Sequence, residues 1–425
     1  MQSYLLGKME LREEVLKKYA IIRNLTDIDG IIKKHEHIYM PKQMSLGVEL
    51  EVIGAASDYL YGVMLNGFGG KEDNTIQDKK YPGVEIISPI LRSNNVDNVL
   101  GVAEQLKMIG MQTNRSCGGH IHIGADYLEV KDDSQKTNDE ATKFAWKSLL
   151  EMWKSSEEIM YKITNRVGEE HRGIGFAKPI APKIEEMLSY DDTSMNVYSY
   201  KEMIKKVQTE KEPYVSERYF SLNFTNLNDS KDTLEFRLAN GTIEPKELKA
   251  NIELFMSFVD ISKKIGIIRY KEKNNVELTK KEEEILEKYK EICTNGEISE
   301  EEKKDKLFEI MFDDEKRQIY DERYEKSPFN LEEEMQKMEH KSNNHSNEYG
   351  EQLTNEELKK LRNYKKNTRE KEEVKFTQND LEELADEIPE ERTSIFRIWF
   401  NRIRNWWQHR RIEIDEKSNK NDLER

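Results

Sequence analysis

Four short segments of this chain carry reactive residue types in a two-residue rhythm. Gly-Val-Glu-Leu-Glu-Val holds Glu49 and Glu51, Gly-His-Ile-His-Ile-Gly holds His120 and His122, Thr-Leu-Glu-Phe-Arg-Leu holds Glu235 and Arg237, and Val-Glu-Ile-Ile-Ser carries a single Glu85. Side chains two apart in a strand share a face. Each segment therefore predicts a strand with its acids, imidazoles or arginine on one side and Val48, Leu50 and Val52, Ile121 and Ile123, or Leu234, Phe236 and Leu238 on the other. A sheet that is wet on one side alternates in the same manner. Paired acids on such a face repel, however, unless something positive lies between them. Carboxylates suit Mg²⁺ or Mn²⁺, a neutral imidazole completes the shell of the latter, and the planar fork of arginine matches phosphate oxygens. The pattern predicts a sheet face that binds divalent metal and a polyanion.

Other chemistries fit these residues less well. A zinc hydrolase would use His120 and His122 with one carboxylate and a water, leaving the remaining acids and Arg237 idle. Cys117 lies three residues before His120, but there is no Cys-x-x-Cys, and the sequence supplies no base for a reactive thiol, so small-residue packing is the expectation there. The glycines of Gly67-Phe68-Gly69-Gly70 lack the lysine and the helix of a phosphate-binding loop.

The elements that must position these residues follow from periodicity and punctuation. Residues 44–54, 83–89, 119–124, 219–226 and 233–239 read as strands. Helices are expected at 2–24, 96–109, 137–164 and, opening on Glu244-Pro245, 244–264. Residues 55–80 read as turns and loops, and 166–212 as irregular with short helical pieces. Mixed strands and helices without βαβ alternation predict an α+β fold with helices on one face of a sheet.

Composition divides the chain. Residues 1–265 hold 35 Lys and Arg and 41 Asp and Glu, whereas the remaining 160 residues hold 33 and 42. The first part is ordinary for a globular domain, and the second is far more charged. The expected organisation is a helical lead-in over 1–43, a catalytic domain over 44–268, a charged helical or partly disordered region over 269–390, and an amphipathic Trp/Arg-rich helix and tail over 391–425. The helical segments expected in the charged region cover 271–326 and 354–387, with a polar interruption at 340–347. In the last region Ile395, Trp399, Ile403 and Trp406 share a helical face, which suits docking on the protein, a partner or a membrane surface. A net charge of −15 argues against nucleic acid as a partner. Two cysteines and no apolar run near ~20 residues predict a soluble, cytoplasmic protein.

The same segments resemble the amidoligase family, a group of carboxylate–amine ligases related to glutamine synthetase and glutamate–cysteine ligase. The resemblance runs through LGVELEV (46–52), DNT (73–75), GVEIISPIL (83–91), NRSCGGHIHIG (114–124), RYFSLNF (218–224) and TLEFRLANGTIEP (233–245), about residues 44–265. It implies a glutamine-synthetase-like curved antiparallel sheet with helices on its convex face and ATP with Mg²⁺ or Mn²⁺ on its concave face. By motif, Glu49, Glu51, Glu85, His120 and Glu235 stand as metal ligands, and His122 and Arg237 as phosphate contacts. Asn223 and Arg218 stand beside the nucleotide or substrate, with Arg237, Glu85 and Arg218 as the catalytic group; Asp73 matches an acid of unassigned role. The substrates implied are a carboxylate and an amine, of peptide, protein or cell-wall origin. Two alternatives remain open at this level: a phosphotransferase acting on a guanidino-type acceptor, which would use the same face, and a non-catalytic binding protein on the same fold.

Overall fold

The computed structural model describes residues 28–343, except 61–63, 74, 77, 79, 191–193, 211–216 and 294–297. The helices expected at 2–24, at 354–387 and within 391–425 lie outside the described residues. Seven strands form one antiparallel sheet: β1 (Leu46–Ile53), β2 (Met64–Leu65), β3 (Phe68–Glu72), β4 (Gly83–Ile87), β5 (Gly119–Gly124), β6 (Leu222–Asn223) and β7 (Thr233–Phe236), in the order β2-β3-β4-β1-β5-β7-β6. The helices are α1 (Ile28–Ile32), α2 (Ser57–Leu60), α3 (Asn98–Met108), α4 (Asp139–Ile163), α5 (Ala181–Ser189), α6 (Val197–Thr209), α7 (Pro245–Lys273), α8 (Lys280–Cys293), α9 (Glu300–Met311), α10 (Asp314–Glu325) and α11 (Leu331–Asn343). The class is α+β, as expected. Among the described residues no helix is long and apolar enough to cross a membrane.

Alternation fixes which face of the sheet is covered. Val48, Leu50, Val52, Val84, Ile86, Ile121, Ile123, Leu234 and Phe236 are all buried in one apolar cluster with α4 and α7. Trp153 of α4 meets Phe236 with ring centroids 5.4 Å apart and Phe258 of α7 edge-on at 5.3 Å, while Phe255 stacks on Phe236 at 4.4 Å. The two long helices approach closely at Gly266, where an added Cβ would fall 2.3 Å from the Ala145 backbone. Neither backbone can yield without shifting a helix. Gly266→Ala should therefore cost about 1–3 kcal/mol or more, read as a lower urea midpoint with an unchanged slope; a neutral result would show that the helices separate freely.

Buried Glu157 of α4 joins two layers. Its carboxylate accepts from the Ile180 and Ala181 N–H groups at 2.8 and 3.0 Å, capping α5, whose own N-cap side chain makes no such bond. It also accepts from the Ser221 hydroxyl, which ties the strand carrying Asn223 to α4.

Three expectations need correction. Residues 55–80 are not all loop: Asn66 and Gly67 both take positive φ (52° and 89°) and close the β2–β3 hairpin. Asn-Gly is the strongest short hairpin signal, but the following Gly69-Gly70 hides the alternation of a strand. Gly70 is required there, since a Cβ would collide with the Leu60 carbonyl. The second correction concerns 268, which is no boundary within the described residues. α7 runs through it to Lys273, and Leu286, Tyr289, Ile292, Phe308, Tyr320, Phe329 and Met335 belong to the same apolar cluster as the sheet. Their helices are charged because one stripe alone is buried. Third, α11 continues to Asn343, into the stretch expected to be a polar interruption.

Candidate active site

Pairing register turns the separate two-residue patterns into rows across the sheet. Glu51 on β1 faces Glu85 on β4, which faces Lys71 on β3. Glu49 on β1 faces His120 on β5, and His122 on β5 faces Glu235 on β7, which faces Asn223 on β6. Opposed residues share a face, so all the expected site residues of the strands meet on the side away from α4 and α7. With Arg218, Arg237, Asp73, Thr75, Tyr219 and Lys231 they line one cleft of about 130 Å³.

Within it, three groups each offer ligand atoms within 4.8 Å of one another: Glu49, Glu85 and His120; Glu49, His122 and Glu235; and Glu51, Asp73 and Glu85. His120 turns Nδ1 to Glu49 at 3.3 Å and Glu235 at 3.7 Å. His122 Nε2 lies 3.2 Å from Glu49 and 3.9 Å from Glu235 yet is buried without hydrogen-bond geometry to any partner. Ligands ~2.1 Å from a Mg²⁺ ion lie ~3.0 Å apart when adjacent and ~4.2 Å apart when opposite. The histidine–glutamate separations of 3.2–3.9 Å fall in that range, and these residues fit a small divalent cation.

The electrostatics agree with a crowded acid face. Burial alone would raise the Glu49 carboxyl, but the imidazoles of His120 and His122, at 3.3 and 3.2 Å, hold it far below the usual range. Glu235 sits at about 2: burial opposes ionisation, and Arg237 and both histidines overcome it. Burial, then the Arg237 charge, pushes the His120 imidazole down, whereas burial of His122 is outweighed by Glu235 and Glu49, which raise it. Glu85 is pushed up from 4.5 to about 7 by burial and then by Glu49, against the pull of Lys71.

A carboxyl held above its unfolded value keeps a proton that the unfolded chain sheds. The Glu85 contribution thus falls as pH rises from 4.5 to about 7. In chelator, the melting temperature of Glu85→Gln should decline less than that of wild type between about pH 4.5 and pH 7. Equal slopes would show that Glu85 titrates normally in the metal-free protein.

Supporting residues complete the face, and several give no sequence signal. Glu235 pairs with Arg237 and accepts from Asn223 Nδ2 at 2.6 Å. The other amide atom of Asn223 accepts from Gln208 at 2.6 Å, so both polar ends of this expected nucleotide neighbour are used in holding Glu235. Two guanidinium groups lie over the Tyr219 ring, Arg237 at 5.2 Å and Arg218 at 5.4 Å from its centroid. Lys71 pairs with Glu85 at 3.2 Å and Lys231 lies 3.7 Å from Glu49, both well exposed at the rim. Asp73 accepts from the Thr75 N–H at 2.7 Å and from its hydroxyl at 2.6 Å. Arg172, from a segment that reads as irregular, is buried against Glu51 and His120.

Cys117 is buried and its thiol is pushed up to about 12 by burial, as suits a packing role. A larger cavity of about 530 Å³ between α4, α7 and α8 shares no residue with the acid face. Its cations are already paired: Arg269 with Glu151 and Lys290 with Glu272, each at 2.7 Å, and Lys154 with Glu185 at 2.9 Å.

A comparison with curated proteins finds no match. Residues 66–259 match the family described as "Putative amidoligase enzyme", a description that suggests a ligase. The match takes in Glu85, His120, His122, Glu235 and Arg237 and begins after β1, but β1 pairs between β4 and β5 and brings Glu49 and Glu51 into the same rows. The match of residues 66–259 to this family agrees with the resemblance that the motifs carry.

Proposed function

We propose that this protein is an ATP-dependent carboxylate–amine ligase that works through an acyl phosphate. One observation carries the reading: seven potential ligand side chains and two arginines converge in one cleft, most of them from the stretch that matches an amidoligase family. A carboxylate is a poor acyl donor because it is anionic and has no leaving group. In the proposed reaction its oxygen attacks the γ-phosphorus of ATP and ADP leaves; an amine nitrogen then attacks the carbonyl carbon and phosphate leaves. Glu49, Glu51, Glu85, His120, His122 and Glu235 would hold Mg²⁺ or Mn²⁺, which when bound supply charge neutralisation between carboxylate and triphosphate.

The chain's own part is positioning and fixed charge, the largest catalytic term in most enzymes. Arg237 is held by Glu235 and braced on Tyr219, so its fork meets a phosphoryl group without first being ordered. Arg218, on the same ring, offers a second guanidinium. Lys71 and Lys231 at the rim suit the entry of anions.

An acyl phosphate is electrophilic at carbon, so hydroxylamine should intercept it. Incubated with ATP, Mg²⁺ or Mn²⁺ and a panel of carboxylates, the protein should yield hydroxamate and ADP in equal amounts with the right carboxylate. Oxygen-18 in that carboxylate should appear in the released phosphate. Carboxylate-dependent ADP release with neither product would exclude this mechanism.

A further inference from the structure

The loop after α4 delivers a charged side chain to the back of the acid face. His171 Nε2–H donates to the Leu238 carbonyl at 2.8 Å, and the Gly173 N–H donates to His171 Nδ1 at 3.0 Å. The Arg172 N–H donates to Asn240 Oδ1 at 2.9 Å. On its outer side the loop is covered by Phe329, which meets His171 edge-on at 5.3 Å. The backbone is thus pinned from both directions, and Arg172 has one direction left, inward.

Its guanidinium is 2% exposed and touches three parts of the site. Nη2 lies 3.2 Å from His120 Nε2 and donates to the Arg237 carbonyl at 3.2 Å; Nη1 lies 3.6 Å from Glu51 Oε2. The same Glu51 oxygen accepts from the Gly118 N–H at 2.5 Å. Gly118 leaves the space that the guanidinium fills, since a Cβ there would lie 2.0 Å from Nη1. We propose that Arg172 is a positioning residue of the metal site: it fixes Glu51 and the strand end bearing Arg237, and packs behind the His120 ring, in the geometry a divalent cation requires. The proposal rests on the metal site described above. Groups that orient ligands from behind typically change metal affinity 10–100-fold when removed.

Charge and geometry make opposite demands here, which gives a clean test. A guanidinium beside a cation site repels the cation, so by Coulomb's law alone Arg172→Met should bind Mn²⁺ more tightly. If Arg172 acts by position, binding should weaken at least ~10-fold. The measurement is Mn²⁺ alone titrated into wild type and variants, free Mn²⁺ being read by electron paramagnetic resonance. Arg172→Lys keeps the charge but loses the two-armed fork and should not restore affinity. Gly118→Ala keeps the guanidinium but displaces it and should show a loss of the same order, with unchanged far-UV circular dichroism. Mn²⁺ binding by wild type with equal or tighter binding by folded Arg172→Met, or full rescue by Arg172→Lys, would overturn the positioning role and leave the metal site standing. No Mn²⁺ uptake by wild type would overturn the metal site itself, and this proposal with it.

Discussion

Replacing Glu235 with alanine should abolish the rise in melting temperature that Mg²⁺ or Mn²⁺ with ATP gives the wild type. A ligand that binds only the folded state stabilises it by about 2.7 kcal/mol at a hundredfold excess over its dissociation constant, and Glu235 belongs to one of the three ligand groups. Its removal also leaves Arg237 buried without its carboxylate, when Nε of that arginine already lacks a partner. Breaking a buried pair from one side costs about 3–5 kcal/mol. The variant should accordingly melt well below wild type and show no ligand-dependent shift. Glu51→Ala should likewise lose the shift, and because it takes the carboxylate from buried Arg172 it too should melt below wild type without ligand. A Glu235→Ala protein that keeps the full metal–ATP shift would place the site elsewhere.

Ending the chain at Ile268 should produce an insoluble or non-cooperative fragment, although composition predicts a boundary there. Tyr289, Ile292, Leu307, Phe308, Tyr320, Phe329, Leu331 and Met335 are buried in the cluster that includes the sheet and α4. At about 1.5–3 kcal/mol for each large apolar side chain, their loss matches or exceeds the ~5–15 kcal/mol that a whole domain holds in reserve. Arg323 adds polar anchors, donating to the Ile163 carbonyl at 3.0 Å and to Asn251 Oδ1 at 2.8 Å. A protein ending after Asn343 should keep a single cooperative melt by circular dichroism and elute as a compact species. Should the 268-residue fragment melt like the full chain, the later helices are accessory to the fold.

The loss expected at residue 268 shows where composition misleads. A charged, sparsely apolar segment reads as solvated, because counting residues gives no weight to how one narrow stripe is used. Tyr320 and Phe329 are few in sequence yet decisive in space, the first donating to the Ala250 carbonyl at 2.8 Å and the second stacked on Tyr161 at 4.7 Å.

Which side chains can share a face is legible in the order of residues alone. Period-two alternation is local, so Glu49 with Glu51, His120 with His122 and Glu235 with Arg237 were legible as pairs on polar strand faces. The order of the acids, histidines and arginine along the chain also carried the family resemblance. What joins the pairs is register, and register is set by contacts between residues far apart in sequence: Glu51 meets Glu85, and His122 meets Glu235, through strand pairing. Arg172 was illegible for the same reason, since nothing in a segment that reads as irregular tells that its backbone is pinned by Asn240 and covered by Phe329. Only the packed chain could place that guanidinium behind Glu51 and His120, because a buried charge is defined by its partners, and here the partners come from β1, β5 and the backbone just after β7.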